Sequence, residues 1–459
     1  MKKILSTYIL SAILLSGICL PTSCEKFVEL GAPPTQVELD DAFRTDASAR
    51  SVVLGLYVST VNSNISGTTT FYAGMAADDL QYNAADPSLL EFGNNGLLNT
   101  NSYVNNLWGS LYQLIKNTNN CVYGLEKSTT LTPAVRDQLI GETKFIRAYA
   151  YLYLVNLYGP VPLHIKSDLE VFEQVSLERA AVDQVYNQIL TDLTDAEVKL
   201  NTTYEGTFRA RVNKHAASAL LARVYLYRGD QEKAESYATK VLQASDYSLV
   251  APTANFVNDS KETIFQLANL TGITTFGTNY ITSATVIPSY TLPERVYNSF
   301  ETAPTTDLRK SNWISPKTVS GTPYYAVNKY KLSAGTGNEY HIVLRLAEQF
   351  LIRAEARANR NNLSGAKADV DAVRKRAGLS GLPSGLTQAQ MLSAIETERL
   401  HEFFGEYAHR WMDLKRTNRA TAVLSPIKTS WQDTDVLFPI PNAQIVINGK
   451  LTQNAGYEN

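Results

Sequence analysis

The run ALLARVYLYRGDQEKAESYATKVL, residues 219–242, reads as two helices folded back on each other. Apolar residues recur at spacings of three and four as far as Tyr227 and Arg228. Gly229-Asp230 then breaks the period, and a second amphipathic run starts at Gln231. Tyr225 and Ala234 stand nine apart, and Ala238 and Val241 follow at the pitch that turns the second helix's small residues onto the first. A weaker echo, LAEQFLIRAEARANRNNLSGAKADVDAVRKRAG, lies at 346–378, where Ala354, Ala366 and Val373 take the packing positions. One such pair leaves an apolar face open, so the pattern demands stacked neighbours.

The spacing resembles a tetratricopeptide repeat. The expected fold is mainly α: tetratricopeptide-like helix pairs forming a curved stack, with long loop-rich insertions and a few short strands. Helical period also appears at 46–57 and at 103–125, where Trp108, Leu111, Tyr112 and Ile115 share a stripe. LIGETKFIRAYAYLYLVNLYGPVPLH at 139–164 is apolar nearly all round and predicts a helix buried between neighbours, stopped by Gly159-Pro160. Further helices are expected over 184–200 and 212–243. Residues 61–102 and 250–340 differ in kind: they are rich in Thr, Ser, Asn, Gly and Tyr, with little helical period. Runs such as ETIFQLANL suggest strands there. Excursions this long from a packed scaffold point to function.

At the N-terminus, Lys2 and Lys3 precede an apolar run over 4–20 and then Pro21-Thr22-Ser23-Cys24. This is the layout of a secretory signal, and the closing cysteine resembles the lipobox of bacterial lipoproteins, which implies acylation of Cys24. Pro21 stands where that box usually has an aliphatic residue. The rival readings are a plain secretion signal and a membrane span. The apolar run is at the short limit of ~20 residues, with no basic cluster after it. The expected organisation is a signal peptide over 1–23, a lipidated tether over 24–35 and a single domain over 36–459. Within it, helix pairs are expected at about 103–245 and 341–420, and ligand-face loops at about 61–102 and 250–340.

Removing residues 1–23 takes away Lys2 and Lys3 and no acid, moving the formal charge from −2 to −4. No basic field remains for nucleic acid or for an anionic membrane surface, so lipid is the expected attachment. Of the cysteines, Cys19 leaves with the signal and Cys24 takes lipid, so Cys121 has no disulfide partner. It is expected as a small buried hydrophobe in a fold stabilised by its core. Tyrosine outnumbers phenylalanine, 26 to 15, an excess suited to stacking on sugars or peptides. The candidate ligand residues lie in three loop runs: Tyr72, Asp78, Asp79, Tyr82 and Asn83; Phe276, Asn279, Tyr280 and Tyr290; and Arg309, Trp313, Tyr324 and Tyr325. Tyr72, Tyr82 and Tyr280 lead them.

The C-terminal block ETERLHEFFGEYAHRWMDLKRT, 396–417, joins Glu398-Arg399, Glu402-Phe403, Gly405-Glu406, Arg410-Trp411, Asp413-Leu414 and Arg416. With Pro439-Ile440-Pro441 and Asn454-Ala455-Gly456-Tyr457, and the segments FIRAYAYLYLVNLYGPVPL and LRLAEQFLIRAEARAN, it resembles the SusD/RagB family. The tail departs at Ala455, where Pro is commoner. The resemblance implies four tetratricopeptide-like helix pairs and a lipid-anchored protein of the outer membrane facing the exterior. It also implies capture of oligosaccharides, or in some members peptides, for a SusC-like TonB-dependent transporter, without catalysis or cofactor.

The residues of the block admit sharper readings. A zincin motif needs a histidine four places after His401, where Gly405 stands, so no metal is expected. His401 and His409 fall two turns apart on a continuous helix. Glu402 and Glu406 offer a glycosidase pair. Spacings of three and four between opposite charges favour instead Arg399, Glu402, Glu406, Arg410 and Asp413 interlocking as ion pairs, with Trp411 in the core. No phosphate loop or nucleophile elbow is present, and no active site is expected.

Overall fold

The computed structural model describes residues 39–167 and 177–457. The expected signal peptide, the Cys24 lipidation site and the tether over 24–35 lie outside the described residues.

Helices α1 (Asp46–Asn62), α2 (Ile65–Ala76) and α3 (Pro87–Asn94) lead into α4 (Ser102–Lys127) and α5 (Pro133–Tyr158). Then come α6 (Val182–Lys199), α7 (Lys214–Tyr227), α8 (Gln231–Leu242), α9 (Thr275–Tyr280) and α10 (Leu308–Trp313). After the insertion come α11 (Leu346–Asn359), α12 (Leu363–Arg376), α13 (Gln388–Phe403) and α14 (His409–Arg416), followed by short helices at Ala420–Leu424 and Asn442–Ile447. From α4 to α8 each helix packs on the next; α8 then packs on α11, and α11 on α12 and α13. The stack therefore continues across a long insertion. Among the described residues no helix is long and apolar enough to cross a membrane.

Two pairs, α7–α8 and α11–α12, turn by the same local device. Gly229 at φ +77° donates to Leu226 O and Asp230 N to Tyr225 O, while Asn361 at φ +61° and Asn362 repeat both bonds to Ala358 O and Arg357 O. This is the Schellman arrangement, which needs a residue comfortable in the left-handed region. The following residue caps the next helix: Asp230 accepts from Lys233 N, and Asn362 from Gly365 N. Ala222, Leu226, Ala234 and Ala238 then pack against Ile352 and Ala356, and Tyr225 stacks on Tyr237. Ala354, Ala366 and Val373 share a second cluster with Met391, Ile395 and Phe403.

From Gln138 onward helix α5 is enclosed on nearly every side; Tyr149, Tyr151, Tyr153 and Tyr158 are buried along it. Its charges are paired in place. Arg147 grips Asp192 of α6 at 2.7 and 2.8 Å, and Glu142 takes Arg211. Arg223 of α7 likewise pairs with Glu348 of α11. Cys121 is buried, and burial raises its thiol to about 12, so it packs as a hydrophobe.

Besides a two-residue pair at Val161–Pro162 and Arg179–Ala180, the strands among the described residues are β1 (Gln81–Tyr82), β2 (Thr263–Leu267), β3 (Tyr290–Leu292), β4 (Ile314–Val319), β5 (Thr322–Val327) and β6 (His341–Arg345). β1, β3, β5 and β4 form an antiparallel sheet in that order, and β2 pairs with β6. The β4–β5 hairpin turns on Ser320 and Gly321, both at positive φ, as a two-residue hairpin requires.

The reading of 61–102 as loop is corrected. Helix α2 lies there and is buried on nearly every side, so small residues and aromatics replace the amphipathic period that would announce it. In the insertion, Gly272 at φ +66° brings its backbone against the 331–340 segment, where a Cβ would lie 1.9 Å from Gly337 O. Gly272→Ala is therefore expected to cost about 2–3 kcal/mol, read as a lowered urea midpoint. An unchanged midpoint would show that the two segments separate freely.

Candidate functional site

The end of α2 feeds through a short turn into β1, which places Tyr82 opposite Tyr290 on the mixed-length sheet. Side chains alternate across a strand, so Tyr82, Tyr290, Leu292 and Tyr325 share one face. Behind them Tyr290 stacks on Phe71 with centroids 4.3 Å apart at 9°, and Tyr82 tilts over Tyr290 at 5.3 Å. This column grades from buried Phe71 to half-buried Tyr82. Two strands away Tyr325 stacks on Tyr297 at 4.0 Å, its hydroxyl reaching Glu294 Oε1. Strand spacing and rise separate Tyr82 from Tyr325 by about 12 Å, with buried Tyr290 and Leu292 between them on that face.

Polar groups flank the aromatics. Asn83 Nδ2 donates to Pro288 O and Thr291 Oγ1, both at 2.9 Å, locking its rotamer beside Tyr82. Asp86 caps α3 through one oxygen and accepts the Tyr103 hydroxyl at 2.6 Å through the other. That bond holds the Asp86 carboxyl below its usual range and raises the Tyr103 phenol. Lys310 lies 4.1 Å over the Tyr297 ring. Rigid rings flanked by fixed hydrogen-bonding groups are the chemistry that recognises a sugar ring.

Of the twelve candidate ligand residues in the three runs set beside Tyr325, Tyr82, Asn83, Asn279 and Tyr324 reach the surface, each half-buried. The other eight are corrected to interior positions. Tyr72 stacks on Phe92, and Phe276 and Tyr280 pack with Phe71 and Tyr330. Tyr290 lies beneath Tyr82, and Trp313 is fully buried with Nε1 on Pro252 O. Asp78 pairs with Arg410, Asp79 accepts from Gly405 N, and Arg309 sits among carboxylates. These rings join the main hydrophobic core, which consumes the aromatics that composition alone offers to a ligand. Tyr297, outside the expected set, is the ring on which Tyr325 stacks, and its sequence carries no signal of that role.

Burial pushes the Asp79 carboxyl up to about 7. The folded state thus holds this proton more tightly than the unfolded chain. The resulting stability is full below the unfolded carboxylate value of ~3.9 and is lost as pH rises through about 7. Neighbouring Lys428, brought down to about 7 by burial, contributes the opposite slope. Asp79→Asn is accordingly expected to flatten the loss of stability between pH 5 and pH 8 relative to the parent chain. Parallel curves would refute the assignment.

The HEFFGEYAHRWMD block does not interlock with itself as its spacing suggests. Gly405, Tyr407 and Ala408 all have positive φ, so the chain reverses between α13 and α14. His401 and His409 fall on different helices and stack on Phe300 and Phe403. Only Arg399–Asp413 forms within the expected set, across the two helices. Arg410 reaches Asp78 and Glu396. Glu402 takes Arg309 from α10, Arg345 from β6 and Arg376 from α12, while Glu406 takes Arg345 and Lys329. Glu262 and Glu398 complete this buried ionic cluster, and Trp411 is fully buried nearby in the sequence.

Residues 37–226 match the family profile described as starch-binding and associating with the outer membrane, and residues 269–431 match that of the SusD family. SusD-like protein P38 of Formosa agariphila is 24% identical over the full length of both chains. A SusD superfamily protein from Bacteroides vulgatus superposes with a TM-score of 0.81 at 18% identity, covering 90% of this chain and 99% of its own. A laminarin-binding SusD-like protein superposes with a TM-score of 0.74 at 24% identity, covering 90% of this chain and all of its own.

Proposed function

The chain belongs to the SusD family, a starch- and glycan-binding family associated with the outer membrane, and from this we propose that it captures oligosaccharides on the cell surface. It then delivers them to a SusC-like TonB-dependent transporter, held at the membrane by lipid on Cys24. The observation that carries the reading is the presence of Tyr82 and Tyr325 on one sheet face, Tyr82 tilted over Tyr290 and Tyr325 stacked on Tyr297, with fixed polar groups beside them. The laminarin-binding relative of the same fold supports a glycan as ligand.

A binding role also agrees with the chemistry of the block's carboxylates. A glycosidase acid needs a raised carboxyl pKa. Burial would raise that of Glu402, but Arg376, Arg345 and Arg309 outweigh it and hold the group well below the ordinary range.

Titration calorimetry of protein lacking residues 1–24 against β-glucan, α-glucan and xylan oligosaccharides, followed by chromatography of the ligand, tests the reading. Binding of at least one glycan, recovered uncut, is expected. Binding of peptides and no glycan would replace it with peptide capture, and cut product would replace it with catalysis.

A further inference from the structure

Helices α7 and α8 meet α13 and α14 around a cleft of about 680 Å³, whose wall includes Tyr227, Gln231, Ser393 and Arg399. None of the sheet-face aromatics lines it. Arg399 is 3% exposed and spends Nε on Asp413 Oδ2 at 2.6 Å. Its two terminal nitrogens, Nη1 and Nη2, are buried without any acceptor. Gln231 Oε1, in the same wall, is buried without a donor.

The other charges of the cleft are already matched. Glu355 accepts both terminal nitrogens of Arg416, at 2.5 and 2.7 Å, and Asp413 is shared by Arg399 and Arg416. Glu396 serves Arg410 and Arg419. What stays unmet is specific: a planar fork of donors, and one acceptor. A guanidinium fork fits a carboxylate in bidentate fashion, and a lone amide oxygen fits a hydroxyl.

We propose that this cleft is a second binding site, for an acidic sugar whose carboxylate lies on the Arg399 fork and whose hydroxyl meets Gln231. Its volume falls in the range of small-ligand sites. The site is built from the helix stack and does not depend on the aromatic face.

The test is titration of the folded protein lacking residues 1–24 with D-glucuronate and with D-glucose, followed by NMR and thermal shift. Glucuronate is expected to bind at least tenfold more tightly than glucose. Ser393, exposed on the cleft side of α13, is the position for a blocking variant: Ser393→Trp should weaken glucuronate at least tenfold with the circular dichroism unchanged. Arg399→Lys keeps the charge beside Asp413 but loses the fork, and should do the same. Tyr82→Ala should leave glucuronate binding intact, which separates this site from oligosaccharide capture. Equal binding of the two sugars, or glucuronate binding indifferent to Ser393→Trp, overturns the proposal.

Discussion

Glu402→Gln is expected to remove about 3–5 kcal/mol of stability, the range found when one partner of a buried ion pair is deleted. Glu402 is fully buried, and its two oxygens accept from Arg309 Nη1 at 2.8 Å and from Arg345 and Arg376. The amide keeps the volume of the acid. It removes the charge on which three guanidiniums converge and turns an N–H donor toward donors. A urea denaturation at pH 7.5 reads the loss. Arg360→Ala serves as the contrast, because that arginine is 47% exposed on its pair with Glu235 and such pairs contribute at most about 1 kcal/mol.

Acid adds a second readout. The folded state holds the Glu402 carboxyl below its ordinary range, so its contribution is complete above the unfolded value of ~4.3 and disappears as pH falls through the folded one. Below pH 5 the parent chain should therefore lose stability faster than Glu402→Gln. A shift under about 1 kcal/mol at pH 7.5 would show that the cluster's remaining carboxylates suffice.

Tyr82→Ala combined with Tyr325→Ala is expected to weaken the captured oligosaccharide about 100-fold, or about 2.7 kcal/mol. Tyr82 is tilted over Tyr290 and Tyr325 stacks on Tyr297, so a neighbouring ring fixes one side of each half-buried tyrosine. Each single variant should account for about tenfold. Folding should lose about 0.5–1.5 kcal/mol at either position, where a ring contact with Tyr290 or Tyr297 is removed. Calorimetry with the glycan found in the panel checks the effect. Full affinity in the double variant would move the binding face elsewhere. Tyr72→Ala is no substitute: that ring is buried against Phe92, and its removal reports on the core.

The helix stack was legible because its signals are local. Gly229-Asp230 writes both the turn and the cap of α7–α8, and Asn361-Asn362 writes the same turn again. Ala234, Ala238 and Val241 mark the packing side by spacing alone. The proposed binding face was legible only in part. Tyr82 and Asn83 stood out, but Tyr280 and Trp313 occupy similar polar surroundings in sequence and are buried. What separates them is which rings meet across the sheet, and that depends on pairings such as Tyr82 with Tyr290, far apart in the chain. The charge partners of Glu402 and Glu406 were hidden for the same reason. Helical spacing proposed neighbours within the block, whereas Arg309, Arg345 and Lys329 arrive from elements well upstream.

The insertion between α8 and α11 invites treatment as an exchangeable cassette. Its ends are tied at β2 and β6, and the entropy of closing a loop grows only logarithmically with its length. A transplant of residues 268–340 from a relative of different specificity would nonetheless carry a hidden requirement. Arg309 and Lys329 travel with the donor segment, while Glu398, Glu402 and Glu406 stay with the host. A graft that arrives without a cation at both positions strands carboxylates in the interior, so specificity is interchangeable in this architecture only between segments that bring the right counter-charges.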